Sequence, residues 1–415
     1  MNNYIEALAK DTYNAYKKFL SVLTKEKNQF LQILAENLTK NYDYILTENS
    51  KDIRNAQKKG LSNAFIDRLK LSAERIENIA KGVLKIIELD DPVGKFEDFK
   101  THPEGFKLGK MRVPIGVIAM IYEARPNVTI DATALSIKSG NAIILRGGSN
   151  SYFSNMALVK IIKNSLKEAK LEPNLVNYID KIDREYIYQL LKMDKYVHLA
   201  IPRGGEELIK SVVNESRIPV LKHYKGICHI YVNEYAKIDE TIKICVNGKI
   251  SRPAVCNATE TILVDQNIAD KIMPDLIDTL LKNNVEVRGC SRTQKYNNNI
   301  KKATDIDWAT EYLDLIVSIK IVDNIDDAIS HINEYSSGHT DSIITENLSI
   351  ANKFIEQVDS ATVMVNSSTR LSDGGVFGLG AEIGISTDRF HARGPMGLEE
   401  LTTYKWVLIG DYNTR

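Results

Sequence analysis

The sequence predicts an α/β protein with doubly wound parallel sheets. Three observations carry that prediction. Four strand–turn–helix stretches follow one another between residues 117 and 232. After Asn233 the character changes, and a second run of alternating strands and helices reaches about residue 364. Near the end an apolar segment, 401–410, needs a strand to pair with, because an open edge is an aggregation hazard.

Composition narrows the class. The 415 residues suffice for two or three domains and a large core. Hydrophobic residues make up 43% and charged residues 26%, as in ordinary globular proteins. The 54 basic and 54 acidic residues cancel without long runs of one sign, which argues against nucleic-acid or membrane-surface partners. No apolar stretch has membrane-spanning length, and the first twenty residues read as an amphipathic helix with acidic positions rather than a signal peptide. Cys228, Cys245, Cys256 and Cys290 lack CxxC spacing. That fits a reducing cytoplasm and excludes a zinc ribbon or a disulfide framework, so no metal is expected.

In chain order, residues 3–90 carry apolar positions at helical spacing (Phe30, Ile33, Leu34, Leu38, then Ile66, Leu69, Ile76, Ile79, Leu84), with Gly60 as a helix end. They predict helices that cover a sheet. Residues 107–121 read as strand, bent at Pro114, with 117–121 a continuous apolar run typical of a buried parallel strand. The polar loop after it carries Arg125 and Asn127, where open α/β sheets place ligands. Both also suit plainer roles, Arg125 as a turn residue and Asn127 as the cap of a helix over 131–135.

The next strand, 141–145, leads into Arg146-Gly147-Gly148-Ser149 and a helix over 153–167. Strand, glycine turn and helix form a phosphate-binding design, although the GxGxxG fingerprint is absent. Arg146 has the planar fork that suits a 2′-phosphate, or is a surface arginine on a tight turn. A third strand, 197–201, precedes Gly204-Gly205 and a helix through Val213. A fourth is expected at Val220-Leu221, followed by a strand over 226–232. There Cys228 and His229 are neighbours that must face opposite sides.

The second domain is expected to hold helices over 238–247 and 268–283 and strands over 285–290, 313–322, 342–345 and 361–366. Cys290 reads as structural. His339, in a polar loop before a strand, is either an acid or carboxylate ligand or a hydrogen-bonded structural residue. The tail is a glycine-rich run ending in Asp388-Arg389-Phe390-His391-Ala392-Arg393-Gly394-Pro395.

Cys256 stands in ISRPAVCNATETILVD, residues 250–265. A turn feeding a rigid strand would hold a thiol still and aim backbone N–H groups at a carbonyl oxygen. The stretch alone supports a nucleophile and a buried core thiol equally.

Five segments in order decide more: VPIGVIAMIYEARPNVT, ILRGGSN, RPAVCNATET, VDNIDDAISHINEYSSGHTDSI and FGLGAEIGISTDRFHARGPMGLEELTTYKW. Together they resemble the gamma-glutamyl phosphate reductase branch of the aldehyde dehydrogenase superfamily, over essentially the whole chain. The resemblance implies an aldehyde dehydrogenase-like α/β fold: two doubly wound parallel-sheet domains plus a small β oligomerisation arm. The NADP-binding domain would comprise 1–102, 119–234 and 365–385, the catalytic domain 235–364, and the arm 103–118 and 394–415. Cys256 stands where the superfamily has its nucleophile. Asn127 is similar in placement to the asparagine that helps hold the carbonyl oxygen, and Glu311 to the glutamate that grips the nicotinamide ribose. Arg146 lies near a lysine of relatives that serves the adenine ribose, and Gly147, Gly148, Ser149, Gly204 and Gly205 would border the cofactor.

Hydrolytic relatives carry a glutamate base in an ELGGK-type strand start. The corresponding stretch here, HYKGICHIYV, has no carboxylate, as suits a thioester that is to be reduced rather than hydrolysed. The implied reaction is NADPH-dependent reduction of L-glutamate 5-phosphate to L-glutamate 5-semialdehyde with release of phosphate, the second step of proline biosynthesis from glutamate. Arg125, Arg370, His391 and Arg393 are candidates for the substrate's anionic groups, each of which also suits a surface ion pair. The acyl phosphate would come from a separate glutamate 5-kinase, and a homo-oligomer, dimer or tetramer, is expected. Two other readings stand beside this one: a reductase of an acyl-CoA, and a non-catalytic dinucleotide-binding protein.

Overall fold

The structure, a computed structural model, describes residues 4–222 and 225–414. The chain divides into two units: Met1–Lys222 with Gly378–Gly384 and Met396–Arg415, and His223–Phe377 with Ile385–Pro395. The segment 365–385, expected with the cofactor domain, is therefore shared between them.

The first unit opens with five helices: α1 (Tyr4–Phe19), α2 (Thr24–Lys40), α3 (Tyr42–Lys58), α4 (Asn63–Leu69) and α5 (Ala73–Glu88). Their starts and stops are chemical. Ser62 and Ser72 accept the Phe65 and Arg75 N–H groups as N-caps, and Gly60, at φ +67°, turns the chain after α3. Of the apolar stripe expected on α2, Phe30, Leu34 and Leu38 are buried and Ile33 only partly so, while Leu31 joins them inside.

Strands β1 (Phe96–Thr101) and β2 (Lys107–Pro114) follow, then β3 (Val117–Tyr122), α6 (Asn127–Lys138), β4 (Ala142–Arg146) and α7 (Tyr152–Glu168). Gly116, at φ +133°, makes the bend between β2 and β3. Next come β5 (Val176–Tyr178), α8 (Glu185–Leu190), β6 (Leu199–Arg203) and α9 (Glu206–Glu215). The sheet order is β5-β4-β3-β6, all parallel. Every residue of β3 and β4 is buried, which is why they read as unbroken apolar runs.

The fourth strand expected at Val220-Leu221 is instead a single bridge from Val220 to Ala200. Two residues before a polar Lys-His-Tyr stretch are too few to make a ladder. The sheet's real fourth strand is the three-residue β5, too short to leave a periodic signal.

The second unit holds β7 (Cys228–Val232), α10 (Ile238–Ile250), β8 (Thr259–Asp265), α11 (Gln266–Lys282), β9 (Glu286–Gly289), β10 (Lys301–Lys302), α12 (Asp305–Trp308), β11 (Ile316–Val322), α13 (Ile325–Tyr335), β12 (Thr340–Ile344), α14 (Leu348–Gln357) and β13 (Thr362–Val365). These strands form one parallel sheet, β10-β9-β11-β8-β7-β12-β13. Thus β7, read from sequence as the last strand of the first sheet, pairs with β8 and β12 in the second. Asp265, Asn324 and Asn347 cap the helices after β8, β11 and β12 with their side chains. A short hairpin, β14 (Ile385–Ser386) with β15 (Gly394–Pro395), belongs to this unit.

The last strand, β16 (Thr402–Ile409), returns to the first unit. It pairs antiparallel with β2 of the same chain, Thr402 opposite Pro114 through Ile409 opposite Lys107. The terminal segment is therefore paired within this chain, in a three-stranded arm ordered β1-β2-β16. Among the described residues no helix is long and apolar enough to cross a membrane.

Candidate active site

The second unit gathers its chemistry at the amino ends of its parallel strands. Cys256 lies on the turn between α10 and β8, half-buried, three residues before a strand whose seven residues are all buried. Gly226 lies two residues before β7, next to β8 in the sheet. A Cβ on Gly226 would stand 1.9 Å from the Cys256 carbonyl oxygen and 2.5 Å from its Cα. Only glycine allows this approach. The Gly226 N–H donates to Glu311 Oε1 at 2.9 Å, the Ile227 N–H donates to Ser337 Oγ at 2.9 Å, and the Cys228 thiol donates to the Cys256 carbonyl at 3.3 Å.

The other flank is held through Asn257. Its Nδ2 donates to the Ser372 carbonyl at 2.9 Å, and its carbonyl accepts from Thr369 Oγ1 at 2.8 Å. The Arg370 guanidinium donates to Asn257 Oδ1 and, through Nε, to Ser251 Oγ at 3.2 Å. Burial lowers the Arg370 pKa, as does the positive Arg252 nearby, while Asp373 first and then the thiols of Cys256 and Cys228 oppose the shift. The Cys256 thiol thus lies within electrostatic reach of Arg370. Of the expected residues, the structure brings Cys256, Glu311 and Arg370 together.

The other thiols are differently placed. Burial pushes Cys228 well up and Cys245 up to about 12. Cys290 follows β9 at the opposite, carboxyl edge of the sheet. Burial would raise its thiol, but hydrogen bonds from Thr293 and from backbone N–H groups bring it below the ordinary range. His339 is fully buried beside Cys228 and Thr340 Oγ1, the place of a structural histidine. His229 points the other way, with its Nδ1 3.1 Å from Asp341 Oδ1, as strand alternation requires.

His391 and Arg393 lie on the β14–β15 hairpin. Arg393 donates to Asp359 Oδ1 at 2.8 Å, and Arg389 binds the other oxygen of the same carboxylate. Arg393 therefore has an internal anion as partner, and His391 is exposed on the loop between the strands.

In the first unit the polar turns lie at the carboxyl ends of β3, β4 and β6. Their common centre is Glu123. Its carbonyl accepts the Gly148 N–H at 3.2 Å, and its carboxylate accepts the Gly205 N–H at 3.1 Å, at the start of α9. A Cβ on Gly204 would meet that carboxyl carbon at 2.5 Å, and one on Gly148 the Glu123 carbonyl oxygen at 2.9 Å. Ser149 opens a short 3-10 turn before α7. Arg146 is buried, its guanidinium on the carbonyls of Gly147 and Ile182 (2.6 Å to the latter), and burial lowers its pKa. It braces the glycine turn. Asn127 is not the cap expected but the first residue of α6, after Pro126. Its amide donates to Asp131 Oδ2 at 2.8 Å, and enclosure lifts that carboxyl to about 6. Arg125 is exposed on the preceding loop.

Sequence reasoning missed Gly226, Arg252, Asn257 and Glu123. Each is ordinary in its local stretch. Only the pairing of β7 with β8, and of β3 with β4 and β6, shows what they touch.

This fold and thiol turn define a class. The chain matches the aldehyde dehydrogenase family over residues 2–294 and 307–407, and it belongs to that family, as an oxidoreductase. Within the family its likeness is to gamma-glutamyl phosphate reductases. It is 49% identical to the one from Thermodesulfovibrio yellowstonii over 407 residues, 98% of this chain and 97% of that one. It is 49% identical to the one from Dictyoglomus thermophilum over 416 residues, with both chains fully covered. The crystal structure of the Thermotoga maritima gamma-glutamyl phosphate reductase superposes with a TM-score of 0.97, at 45% identity and 99% coverage of each chain.

Proposed function

We propose that the chain reduces L-glutamate 5-phosphate to L-glutamate 5-semialdehyde with NADPH and releases phosphate. The observation that carries this reading is the backing of Cys256. The stretch that touches the thiol turn presents a glycine, Gly226, and no carboxylate of its own from Lys225 to Val232. His223 and Tyr224 of that stretch lie outside the described residues. A thiol so placed forms a thioester, with no adjoining base from that strand to hydrolyse it. Full-length similarity to gamma-glutamyl phosphate reductases supports the substrate.

The Cys256 thiolate attacks the acyl carbon, and backbone N–H groups of its turn stabilise the developing oxyanion. The C–O bond to phosphate breaks and phosphate departs with the electron pair. The thioester on Cys256 then accepts hydride at carbon, the C–S bond breaks, and the sulfur leaves as thiolate. When bound, NADPH supplies that hydride. The cofactor would lie at the carboxyl ends of β3, β4 and β6, where open α/β sheets take ligands; Gly148 and Gly204 let those turns pack closely on Glu123, where a Cβ would collide. In the first unit, the residues that would hold it are Gly147, Gly148, Ser149, Gly204 and Gly205, with Arg146 shaping the turn. Of the cations considered for the substrate's anionic groups, Arg370 is the one that the Cys256 turn itself carries, through Asn257. The labile acyl phosphate would be delivered by a separate glutamate 5-kinase.

The test runs the reaction in reverse, since the aldehyde is easier to handle. Protein, glutamate 5-semialdehyde, NADP and phosphate are mixed and reduced cofactor is followed by absorbance. Phosphate-dependent NADPH formation is expected, abolished in Cys256→Ala while NADP still binds. Formation without phosphate would sink the reading in favour of a hydrolytic dehydrogenase. No formation despite NADP binding would favour an acyl-CoA reductase or a non-catalytic binder.

A further inference from the structure

We propose that Glu311 is a positioning residue for the Cys256 nucleophile, acting through Gly226, besides any contact it makes with a cofactor. The inference rests on the reading of Cys256 as the nucleophile and deepens it.

Three contacts in series carry it. Glu311 Oε1 accepts the Gly226 N–H at 2.9 Å. Gly226 lies so close to Cys256 that a Cβ would reach its carbonyl oxygen at 1.9 Å and its carbonyl carbon and Cα at 2.5 Å. The two backbones are in van der Waals contact, so neither moves without the other. The Cys228 thiol, two residues beyond Gly226, donates to the same Cys256 carbonyl at 3.3 Å and ties the segments together.

The opposite flank of the Cys256 turn is clamped at Asn257 by Arg370 and by the Ser372 carbonyl. The turn is therefore held between two walls. The Asn257 wall has several bonds. The Gly226 wall depends on Glu311 and, one residue on, on the Ile227 N–H bond to Ser337 Oγ. A hydrogen bond to an ionised carboxylate is the stronger of those two. A hydroxyl that engages Glu311 shares that carboxylate with the Gly226 N–H, so occupancy there bears on the thiol without touching it.

The test uses two variants of equal charge in protein free of cofactor. Glu311→Gln removes the charge and keeps an acceptor for Gly226, whereas Glu311→Ala removes both. Iodoacetamide labelling at neutral pH is followed by peptide mapping, which separates Cys256 from Cys290. Cys256 in Glu311→Ala is expected to label at least about threefold more slowly than in Glu311→Gln, at the low end of what losing one such bond does. The direction follows from the geometry. A turn released on the Gly226 side no longer holds the sulfur in one orientation, and its attack on the reagent slows. Thermal midpoints of the two variants should differ by no more than the loss of one hydrogen bond gives, excluding general loosening. Equal labelling would overturn the proposal, because a residue serving only the cofactor has no effect when none is bound. Gly226→Ala should slow labelling further; should it fail to fold, the Glu311 pair still decides. Failure of the nucleophile reading is seen separately, as turnover surviving in Cys256→Ala.

Discussion

Cys256 takes its character from residues that lie far from it in sequence. Its own stretch is compatible with nucleophile or core thiol, and its surroundings come from Gly226 and from Asn257 with Arg370, which the fold brings beside it. The thiol was legible in sequence because turn, cysteine and apolar strand are contiguous. Gly226 was not, because a lone glycine says nothing about what presses on it. A second residue carries a clear solution signature. His331 is buried among His229, Trp308 and Tyr335, with Lys320 Nζ 3.0 Å from its Nδ1. Burial first, then His229 and Lys320, depress its pKa from 6.5 to about 2. The folded protein holds the ring neutral, while the unfolded chain takes up a proton below pH 6.5. Stability due to this residue is thus full above 6.5 and falls as pH drops toward 2, by up to about 1.4 kcal/mol per unit. Urea unfolding across that window should show the slope, and His331→Gln should flatten it. An unchanged slope would mean that the ring ionises without cost in the fold.

At the scale of elements, α10 and β8 are joined by a buried ion pair. Lys249 Nζ lies 2.6 Å from Glu260 Oε2, both side chains fully buried. Burial pushes the glutamate up and the lysine down, and each charge opposes the shift of the other. Such a pair is expensive to break and cheap to replace whole. Lys249→Met alone is expected to destabilise by about 3 kcal/mol, and adding Glu260→Leu to restore much of that loss. Denaturant midpoints of the single and double variants measure it; a double variant no better than the single would show that the pair itself is required. The elements best read from sequence were those with full burial. Strands β3, β4 and β8 announce themselves as apolar runs because both faces are covered. Strand β1, almost wholly exposed, and β5, three residues long, left no such trace. Strand β7 was found but assigned to the wrong sheet, since periodicity reports burial and not the partner.

For the whole molecule, the arm is the exposed feature. On β16, Tyr404, Trp406 and Leu408 alternate onto one face and are about half exposed, with Lys110 4.4 Å from the Tyr404 ring. Strand β16 is also the outer strand of its sheet. An apolar face beside an open edge suits a second copy of the chain, and we propose it as the surface through which this chain would self-associate. Trp406→Lys with Leu408→Lys should yield a lighter species in analytical ultracentrifugation without lowering the thermal midpoint of the remaining fold. An unchanged sedimentation coefficient would remove the arm from assembly. Two α/β domains and an arm were legible from the order of motifs, whereas the division at Lys222 was not, because that short polar stretch looks like any loop.

The pairing of β2 with β16 also sets an order of events during synthesis. Arg112 meets Glu399, 287 residues further along. While the ribosome makes the intervening domain, β2 waits with one side of its backbone uncovered. The arm is the last sheet to close, and the newborn chain is most exposed to wrong strand partners until it does.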